Sequence, residues 1–323
     1  MGEEEKKIAL KKIESLKHEI GKVIVGQHEL IDAFLLSILT GGHLLLEGVP
    51  GVAKTLAANT FAKCVSCVFK RVQFTPDLLP ADLIGTTIYD HKEGRFFVEK
   101  GPIFTQFLLA DEINRAPSKV QSALLEIMQE KQVTIGKETF KIFEPFIVIA
   151  TQNPIEQEGT YPLAEAQSDR FIMKVKIGYP SREEEQEIIK RMAKSTPSLD
   201  VSPILEPSEL LALRKLVDEI YIDDKIVAYI LDIVAATRVP ADYGLDCAPL
   251  LVYGASPRAS IALSLVSKAR ALMEGRAFVT PEDIQSLVLP ILCHRIRLSY
   301  EAEAENVTAE ELVARILTAI ELP

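Results

Sequence analysis

The chain has 323 residues, of which 48% are hydrophobic and 25% are charged. Its 36 basic and 46 acidic residues leave a net charge of −10, which argues against broad attraction to nucleic acid or to anionic membranes. No apolar run is long enough to span a bilayer, and the charged start lacks the apolar segment of a signal peptide. We therefore expect a cytoplasmic protein without membrane insertion, and the length predicts about two domains.

The four cysteines are too few for a disulfide framework in a chain of this length. Cys64 and Cys67 form a C-x-x-C pair, whose spacing suits a redox pair or half of a metal site. Cys247 and Cys293 are isolated in the sequence and supply no second pair. We interpret the cysteines as small buried fillers between a helix end and a strand.

Two helices are predicted at the start of the chain. Apolar residues recur at helical spacing over residues 3–22, and a second helix over 28–40 is closed by Gly41-Gly42. The apolar turn Ile24-Val25-Gly26-Gln27 lies between them. It either connects two packed helices or contacts a base, and the local pattern leaves both interpretations open.

A loop of small residues follows the apolar run His43–Leu46 and precedes a helix-compatible segment, Leu56–Lys63. The loop reads Gly48-Val49-Pro50-Gly51-Val52-Ala53-Lys54-Thr55. In such a loop, backbone amides and the helix N-terminus bind phosphate oxygens, Lys54 supplies a mobile cation and Thr55 a hydroxyl for Mg²⁺. Glycine usually precedes the lysine, and Ala53 fits there if its φ is negative. The stretch predicts nucleotide binding, although alone it is compatible with an ordinary strand-to-helix turn.

The next segment predicts a strand followed by an inserted hairpin. Residues 68–74 alternate as a strand, and Thr75-Pro76-Asp77 ends it. Two short β-like runs within 82–100 surround His91-Lys92-Glu93-Gly94, and residues 101–106 resemble a resumed helix. The hairpin is either a tool that contacts a substrate or a decoration without function.

Two acidic residues end the apolar strand that begins at Phe107. Asp111 and Glu112 would lie at the edge of a parallel sheet, where ligands bind. There Asp111 can hold Mg²⁺ through water, and Glu112 can orient and polarise an attacking water. Strand ends also carry solvated acids, but the Lys54-Thr55 loop in the same chain favours the functional interpretation.

The second half of the predicted sheet carries an amide and an arginine. After a helix from Pro117 to Lys131 and a hairpin within 132–143, a strand over 146–151 ends at Asn153. Asn153 can hydrogen-bond a γ-phosphate, although turn chemistry also explains Asn-Pro. Arg170 ends a short helix before a strand over 172–177. It either reaches the phosphates of a neighbouring subunit or pairs locally with Asp169 or Glu165.

A helical domain is predicted after Tyr179-Pro180. Ser181 and Glu184 form a capping box, and a linker rich in serine and proline extends to residue 207. No further β pattern is evident, and helices are predicted over 208–220, 223–238, 257–274, 281–298 and 309–320. Arg258 lies in the first turn of one of them, where a cation opposes the helix dipole and a bound phosphate would compensate.

Taken together, these motifs resemble those of MoxR-type AAA+ ATPases over about residues 10–300. The matching stretches are Gly48–Thr55, Ala110–Pro117, Ala150–Pro154, Ala164–Phe171, Gly254–Arg258, Gly275–Asp283 and His294-Arg295. An alanine at the position of Ala53 is common in that family. The resemblance implies an α/β P-loop NTPase core with a parallel sheet over residues 1–178, and a linker and all-α lid over 179–323.

The resemblance also implies roles for single residues. Lys54 would be the Walker A lysine, Thr55 and Asp111 would hold Mg²⁺, and Glu112 would be the Walker B glutamate. Asn153 would be sensor 1, Arg170 an arginine finger acting in trans, and Arg258 sensor 2. Residues 82–100 would be the helix-2 insert and 132–143 the pre-sensor-1 hairpin. The remaining nucleotide contacts would come from Val25, Gly26, Gln27, Gly48, Val49, Pro50, Gly51, Val52, Ala53 and Leu56.

The implied function is ATP hydrolysis by a homo-oligomer, expected to be a hexameric ring, that remodels or matures protein complexes. The resemblance further implies a protein client and a partner with a von Willebrand factor A domain. Two alternatives are a nucleic-acid-associated motor, which the net charge of −10 disfavours, and a nucleotide-gated scaffold with little hydrolysis. The presence of Glu112, Asn153 and Arg170 argues against the scaffold.

Overall fold

The computed structural model describes residues 3–49, 51–153 and 161–323. Within them, the helices are α1 (Glu3–Gly21), α2 (His28–Thr40), α3 (Lys54–Cys64), α4 (Pro80–Ile84), α5 (Ser118–Glu130), α6 (Glu165–Ser168), α7 (Arg182–Met192), α8 (Pro207–Asp218), α9 (Asp224–Ala236), α10 (Pro257–Met273), α11 (Pro281–Leu292), α12 (Tyr300–Ala304) and α13 (Ala309–Ala319). The strands are β1 (Leu44–Gly48), β2 (Phe69–Gln73), β3 (Gly85–Asp90), β4 (Arg95–Lys100), β5 (Phe107–Asp111), β6 (Gln132–Ile135), β7 (Glu138–Lys141), β8 (Ile147–Gln152), β9 (Met173–Ile177), β10 (Leu251–Tyr253) and β11 (Arg297–Leu298). In this described part of the chain, no helix is both long enough and apolar enough to cross a membrane.

Five strands form a sheet in the order β2-β5-β8-β1-β9, which confirms the predicted α/β class. The pairs β2–β5, β5–β8 and β1–β8 are parallel. The three central strands are continuous apolar runs, as expected for a sheet that is covered on both faces. Because these strands are parallel, their carboxyl ends meet at one edge, and this edge positions the candidate site.

The chain divides into two compact units. The sheet unit comprises Glu14–Leu163 and Val175–Leu211 and contains the central strands. One buried contact in its core is the stack of Phe34 on Phe61, with ring centroids 4.5 Å apart. His43 is buried there too, and its Nδ1 accepts the Val148 N–H at 3.0 Å.

The helical unit comprises the N-terminal residues to Ile13, Ala164–Lys174 and Ala212–Pro323. Helix α10 packs against α9 and α11, and α13 packs against α9 and α11. The buried side chains of this bundle recur at helical spacing, for example Ile226, Ile230, Ile233 and Val234 on α9. The lid-like helical region that the sequence predicts is therefore present.

Both predicted hairpins are present. Strands β3 and β4 pair antiparallel from Gly85 opposite Lys100 to Asp90 opposite Arg95. Strands β6 and β7 pair from Gln132 opposite Lys141 to Ile135 opposite Glu138. Phe96 on β4 is 69% exposed, so the first hairpin presents aromatic surface rather than burying it.

The helix predicted over residues 101–106 is wrong, because this segment consists of turns. Its backbone amides bond to distant carbonyls: Gly101 donates to Ile84 and Ile103 donates to Leu83. Gly101 also packs against this backbone, since a Cβ built there would lie 2.3 Å from the Leu83 carbonyl oxygen. The helix in this region is α4 instead, upstream of the hairpin.

The prediction that residues 281–298 form one helix is wrong at its C-terminal end. Helix α11 stops at Leu292, and β11 pairs antiparallel with β10. The expectation of no further β structure after residue 207 is therefore wrong as well. The predicted helix is too long because His294 and Arg295 follow α11 at helical spacing. In the structure their side chains bond to residues 169–172.

Candidate functional site

The loop after β1 has the backbone shape expected of a phosphate loop. Gly51 has φ +89°, and a Cβ built there meets no atom within 4 Å, so the space in front of it is open. At Gly48 a Cβ would lie 2.6 Å from the Ile177 carbonyl oxygen, so only glycine fits this close approach of β1 to β9. Pro50 lies outside the described residues.

Ala53 departs from the expected conformation. An alanine is expected there only with a negative φ, but the φ of Ala53 is +59° and its ψ is +18°. An L-residue in this left-handed region pays about 1 kcal/mol or more of strain. The loop therefore keeps the shape that a glycine would adopt, and the methyl group points outward, because Ala53 is exposed.

Replacing Ala53 by glycine is expected to raise the free energy of unfolding of the nucleotide-free protein by about 1 kcal/mol, because the left-handed strain is removed. Denaturant-induced unfolding measures this change. The control is Ala58→Gly in α3, where the same substitution in a helix interior should lower the free energy of unfolding by at least about 1 kcal/mol. Equal destabilisation by both substitutions would contradict the prediction.

Lys54 begins α3, and its Nζ donates to the Gly48 carbonyl oxygen at 2.6 Å. Burial lowers the pKa of Lys54, while the nearby negative charges of Asp111 and Glu112 oppose this shift. The lysine is thus close enough to both acids to interact electrostatically, and the three side chains share one edge of the sheet. Thr55 follows in the first turn of α3 and is half-buried.

Thr151, on β8, ties the two acids to the next strand. Its hydroxyl donates to Asp111 Oδ1 at 2.6 Å and accepts the Glu112 backbone N–H at 2.8 Å. Glu112 itself has φ +56°, so the chain turns sharply at the end of β5. The hydroxyl therefore fixes both the carboxylate of Asp111 and the backbone from which the Glu112 side chain leaves.

The acids also have partners on neighbouring elements. Arg71 Nη2 lies 2.7 Å from Asp111 Oδ2, and Gln73 Nε2 donates to Glu112 Oε2 at 3.0 Å. Arg115 Nη1 lies 3.0 Å from the same Glu112 oxygen. Four of these site residues are not predicted from the sequence: Arg71, Gln73, Arg115 and Thr151. Arg71 and Gln73 lie on β2, and the hydrophobic pattern of the sequence does not indicate that β2 pairs with β5.

Asn153 follows β8 at the same edge, and its carbonyl oxygen lies 3.4 Å from Asn114 Nδ2. This contact joins the end of β8 to the turn after Glu112. Pro154 and the residues up to 160 lie outside the described part of the chain.

Val25 and Gly26 line a cavity of about 380 Å³ within the sheet unit. Its walls also include the Lys17–Asp32 ion pair, whose atoms are 2.8 Å apart. Gly26 has φ +62°, and a Cβ there would overlap the Glu184 side chain. Gln27 precedes α2 with φ +52° and is not among the cavity-lining residues.

Arg170 and Arg258 belong to the helical unit. Arg170 Nη1 donates to the Ala166 carbonyl oxygen at 2.6 Å. Arg258 lies in the first turn of α10, as predicted, and its Nη1 is 3.5 Å from Asp169 Oδ2. The carboxylate of Asp169 thus offsets the cation that the helix N-terminus disfavours.

The side chains at the sheet edge fit a nucleotide phosphate chain with Mg²⁺. They offer an ammonium, a hydroxyl and two carboxylates, which are the groups such a ligand requires. Asp111 Oδ1, which accepts from the Thr151 hydroxyl, keeps a further lone pair for a water, whereas Oδ2 accepts from both Nε and Nη2 of Arg71. Arg71 is 47% exposed, so its pairing with Asp111 contributes about 0–1 kcal/mol and is easily rearranged. Thr55 and Asp111 are the residues that would hold the metal.

Within the described residues, no group of three or more His, Cys, Asp or Glu side chains could hold a metal ion. Cys64 and Cys67 are buried and form no disulfide, and burial raises the pKa of Cys64 to about 12. A thiol with this pKa stays protonated, which agrees with the interpretation as a filler.

Comparison with known proteins gives consistent matches. Residues 43–173 match the model of the ATPase family associated with various cellular activities (AAA), and residues 245–316 match an AAA lid domain. The chain is 48% identical to chaperone MoxR1 of Mycobacterium tuberculosis, covering 94% of this chain and 81% of that protein. It is 44% identical to the protein YeaC of Bacillus subtilis, covering 94% and 92%.

A solved structure agrees over nearly the whole chain. The crystal structure of a protein from Cytophaga hutchinsonii, described as a candidate ATPase, matches with a TM-score of 0.94 at 50% identity, covering 99% of this chain and 98% of that one. Both the sheet edge and the helical region therefore occur in a known fold. With a nearly full-length relative at 48% identity, the chain belongs to the MoxR-type AAA+ ATPase family.

Proposed function

We propose that this chain hydrolyses ATP in a Mg²⁺-dependent reaction at the carboxyl edge of its parallel sheet. The observation that carries the proposal is the convergence of Lys54, Asp111 and Glu112 at this edge, with Thr151 bonded to both acids. Membership of an ATPase family supports it. The loop amides and Lys54 bind the phosphates, and Val25, Gly26 and Gln27 are proposed to lie near the adenine.

The proposed reaction is an in-line transfer of the γ-phosphoryl group to water. The water oxygen forms a bond to phosphorus while the bond to the ADP oxygen breaks, and Glu112 accepts the proton that the water releases. Asn153 is proposed to hydrogen-bond the γ-phosphate and hold this water in line. Thr55 and Asp111 would hold Mg²⁺, which would supply positive charge to neutralise the phosphates.

The proposed assembly is a homo-oligomeric ring, with six subunits, in which Arg170 of one subunit completes the site of the next. A guanidinium supplied in trans offsets the negative charge of the transition state. Arg258 is proposed to contact the phosphates from the helical region. The chain is further proposed to remodel or mature protein complexes together with a partner that has a von Willebrand factor A domain. This proposal rests on the membership of the chain in a family that includes a chaperone.

The test is phosphate release from ATP as a function of protein concentration, with and without added DNA. If Arg170 acts between subunits, activity per subunit should rise steeply with concentration until assembly saturates. Added DNA should leave the rate unchanged, because the net charge of −10 disfavours nucleic-acid binding. If the oligomeric state changes with protein concentration but the rate per subunit does not, the proposal of a shared site is contradicted.

A further inference from the structure

Arg170 lies in a short segment, residues 164–174, that is held by the C-terminal part of the helical unit. The segment consists of α6, the residues Asp169 to Ile172, and the start of β9. Phe171, next to Arg170, is fully buried, whereas Arg170 itself is half-buried. The backbone on the C-terminal side of Arg170 is thus anchored, while its own half-buried side chain lies along α6 and bonds to the Ala166 carbonyl oxygen.

The anchor is the guanidinium of Arg295, whose side chain is only 2% exposed. Its Nε donates to Asp169 Oδ1 at 3.0 Å, and its Nη2 donates to the Phe171 carbonyl oxygen at 2.6 Å. Its Nη1 donates to the Ile172 carbonyl oxygen at 3.2 Å and to that of Ile291. One planar cation therefore bonds to the residues immediately before and after Arg170.

Burying a guanidinium is costly unless nearly all of its donors find acceptors. Burial lowers the pKa of Arg295 to about 10, and the carboxylate of Asp169 opposes this shift. The pKa nevertheless stays far above neutrality, so the side chain is a permanent cation. Lysine could not replace it, because a point charge on a flexible stem cannot donate along several fixed directions at once.

Neighbouring residues reinforce the same attachment. His294 Nε2 donates to the Phe171 carbonyl oxygen at 3.1 Å, and Ser168 Oγ donates to the His294 carbonyl oxygen at 3.1 Å. The second oxygen of Asp169 accepts from Ser256 Oγ at 2.9 Å. The segment is thus bonded both to the residues after α11 and to the start of α10.

We propose that Arg295 is a positioning residue for Arg170, fixing the backbone from Asp169 to Ile172 so that the Arg170 side chain leaves in one direction. This rests on the proposed role of Arg170 in a neighbouring subunit's site. Arg295 itself contacts no substrate. An arginine that acts in trans must be placed accurately against the phosphates, since a displacement of about 1 Å can lower the rate by about 10²-fold.

The test compares Arg295→Met with Arg297→Met. Both substitutions remove a cation that contacts residues 164–174, but Arg297 is 55% exposed and its pair with Glu165, at 3.3 Å, is on the surface. Arg295→Met should lower kcat by about 10²-fold with KM changed by less than about threefold, because ATP binding does not use Arg170 of the same subunit. Arg297→Met should leave both constants near those of the parent protein.

Two further measurements separate positioning from loss of structure. The double variant Arg170→Ala/Arg295→Met should be no slower than Arg170→Ala alone, because Arg295 acts only through Arg170. In addition, mixing Arg295→Met with Glu112→Gln subunits should restore activity, since the Arg295→Met site is intact and receives a well-placed Arg170 from its neighbour. Additive losses, or no recovery on mixing, would overturn the proposal.

Arg295→Lys provides the second variant if Arg295→Met does not fold, because it keeps the cation and loses only the fork of donors. It should show the same selective fall in kcat and the same recovery on mixing, and unchanged kcat would overturn the proposal. If Arg170→Ala alone retains full activity, the finger assignment itself fails. If Arg170→Ala is inactive but Arg295→Met is not, only the positioning role of Arg295 fails.

Discussion

Replacing Glu112 by glutamine is expected to lower kcat for ATP hydrolysis by at least about 10²-fold while ATP still binds. Glutamine has nearly the same shape, its amide oxygen can still accept from Gln73 Nε2, and its backbone N–H still donates to the Thr151 hydroxyl, but its amide cannot accept a proton from water. Lys54 and the loop amides, which are proposed to hold the phosphates, are unchanged. The loss should therefore fall on the chemical step.

Single-turnover phosphate release measures the chemical step, and equilibrium binding of a fluorescent ATP analogue measures affinity. The matched control is Glu130→Gln, which makes the same substitution at the exposed end of α5 and should leave both quantities unchanged. Parent-like turnover by Glu112→Gln would contradict the assignment of the base. The ATP-bound Glu112→Gln protein is also the form suited to capturing a protein client.

The sheet and its functional edge could be predicted because their signals are local. The phosphate loop and the acids each adjoin an apolar run, and the runs are long enough to indicate buried strands. Parallel strands then bring their carboxyl ends together without any further information. For this reason Lys54, Asp111 and Glu112 lie close together, as the sequence analysis expects.

The partners of these residues could not be predicted, because they depend on which strands become neighbours. Arg71 and Gln73 reach Asp111 and Glu112 only because β2 pairs with β5. Periodicity within β2 indicates a partly exposed strand and nothing about its neighbour.

The end of α11 was mispredicted for a similar reason. Arg295 bonds to residues more than 120 positions earlier in the chain, and no local pattern reports so distant a partner.

The positive φ of Ala53 is also set by its surroundings, because the intrinsic preference of alanine is for a negative φ.

Replacing Arg170 by alanine is expected to lower kcat by about 10³-fold or more, because an arginine supplied in trans contributes on this scale to phosphoryl transfer. ATP affinity should change little, since the proposed target is the transition state in the neighbouring subunit. The fold should also be retained, because the backbone around residue 170 is held by Arg295 and by the burial of Phe171. Steady-state phosphate release, circular dichroism and the oligomeric state of the variant measure these three properties.

Mixing distinguishes an arginine that acts between subunits from one that acts within its own. Arg170→Ala and Glu112→Gln should each be nearly inactive alone. At a mixed interface the intact Glu112 of one variant meets the intact Arg170 of the other, so activity should reappear. Arg95→Ala is the control, because Arg95 is 73% exposed on the β4 hairpin and its loss should not change the basal rate. If the mixture stays as inactive as its components while mixed oligomers form, Arg170 acts within its own subunit and the site is not shared.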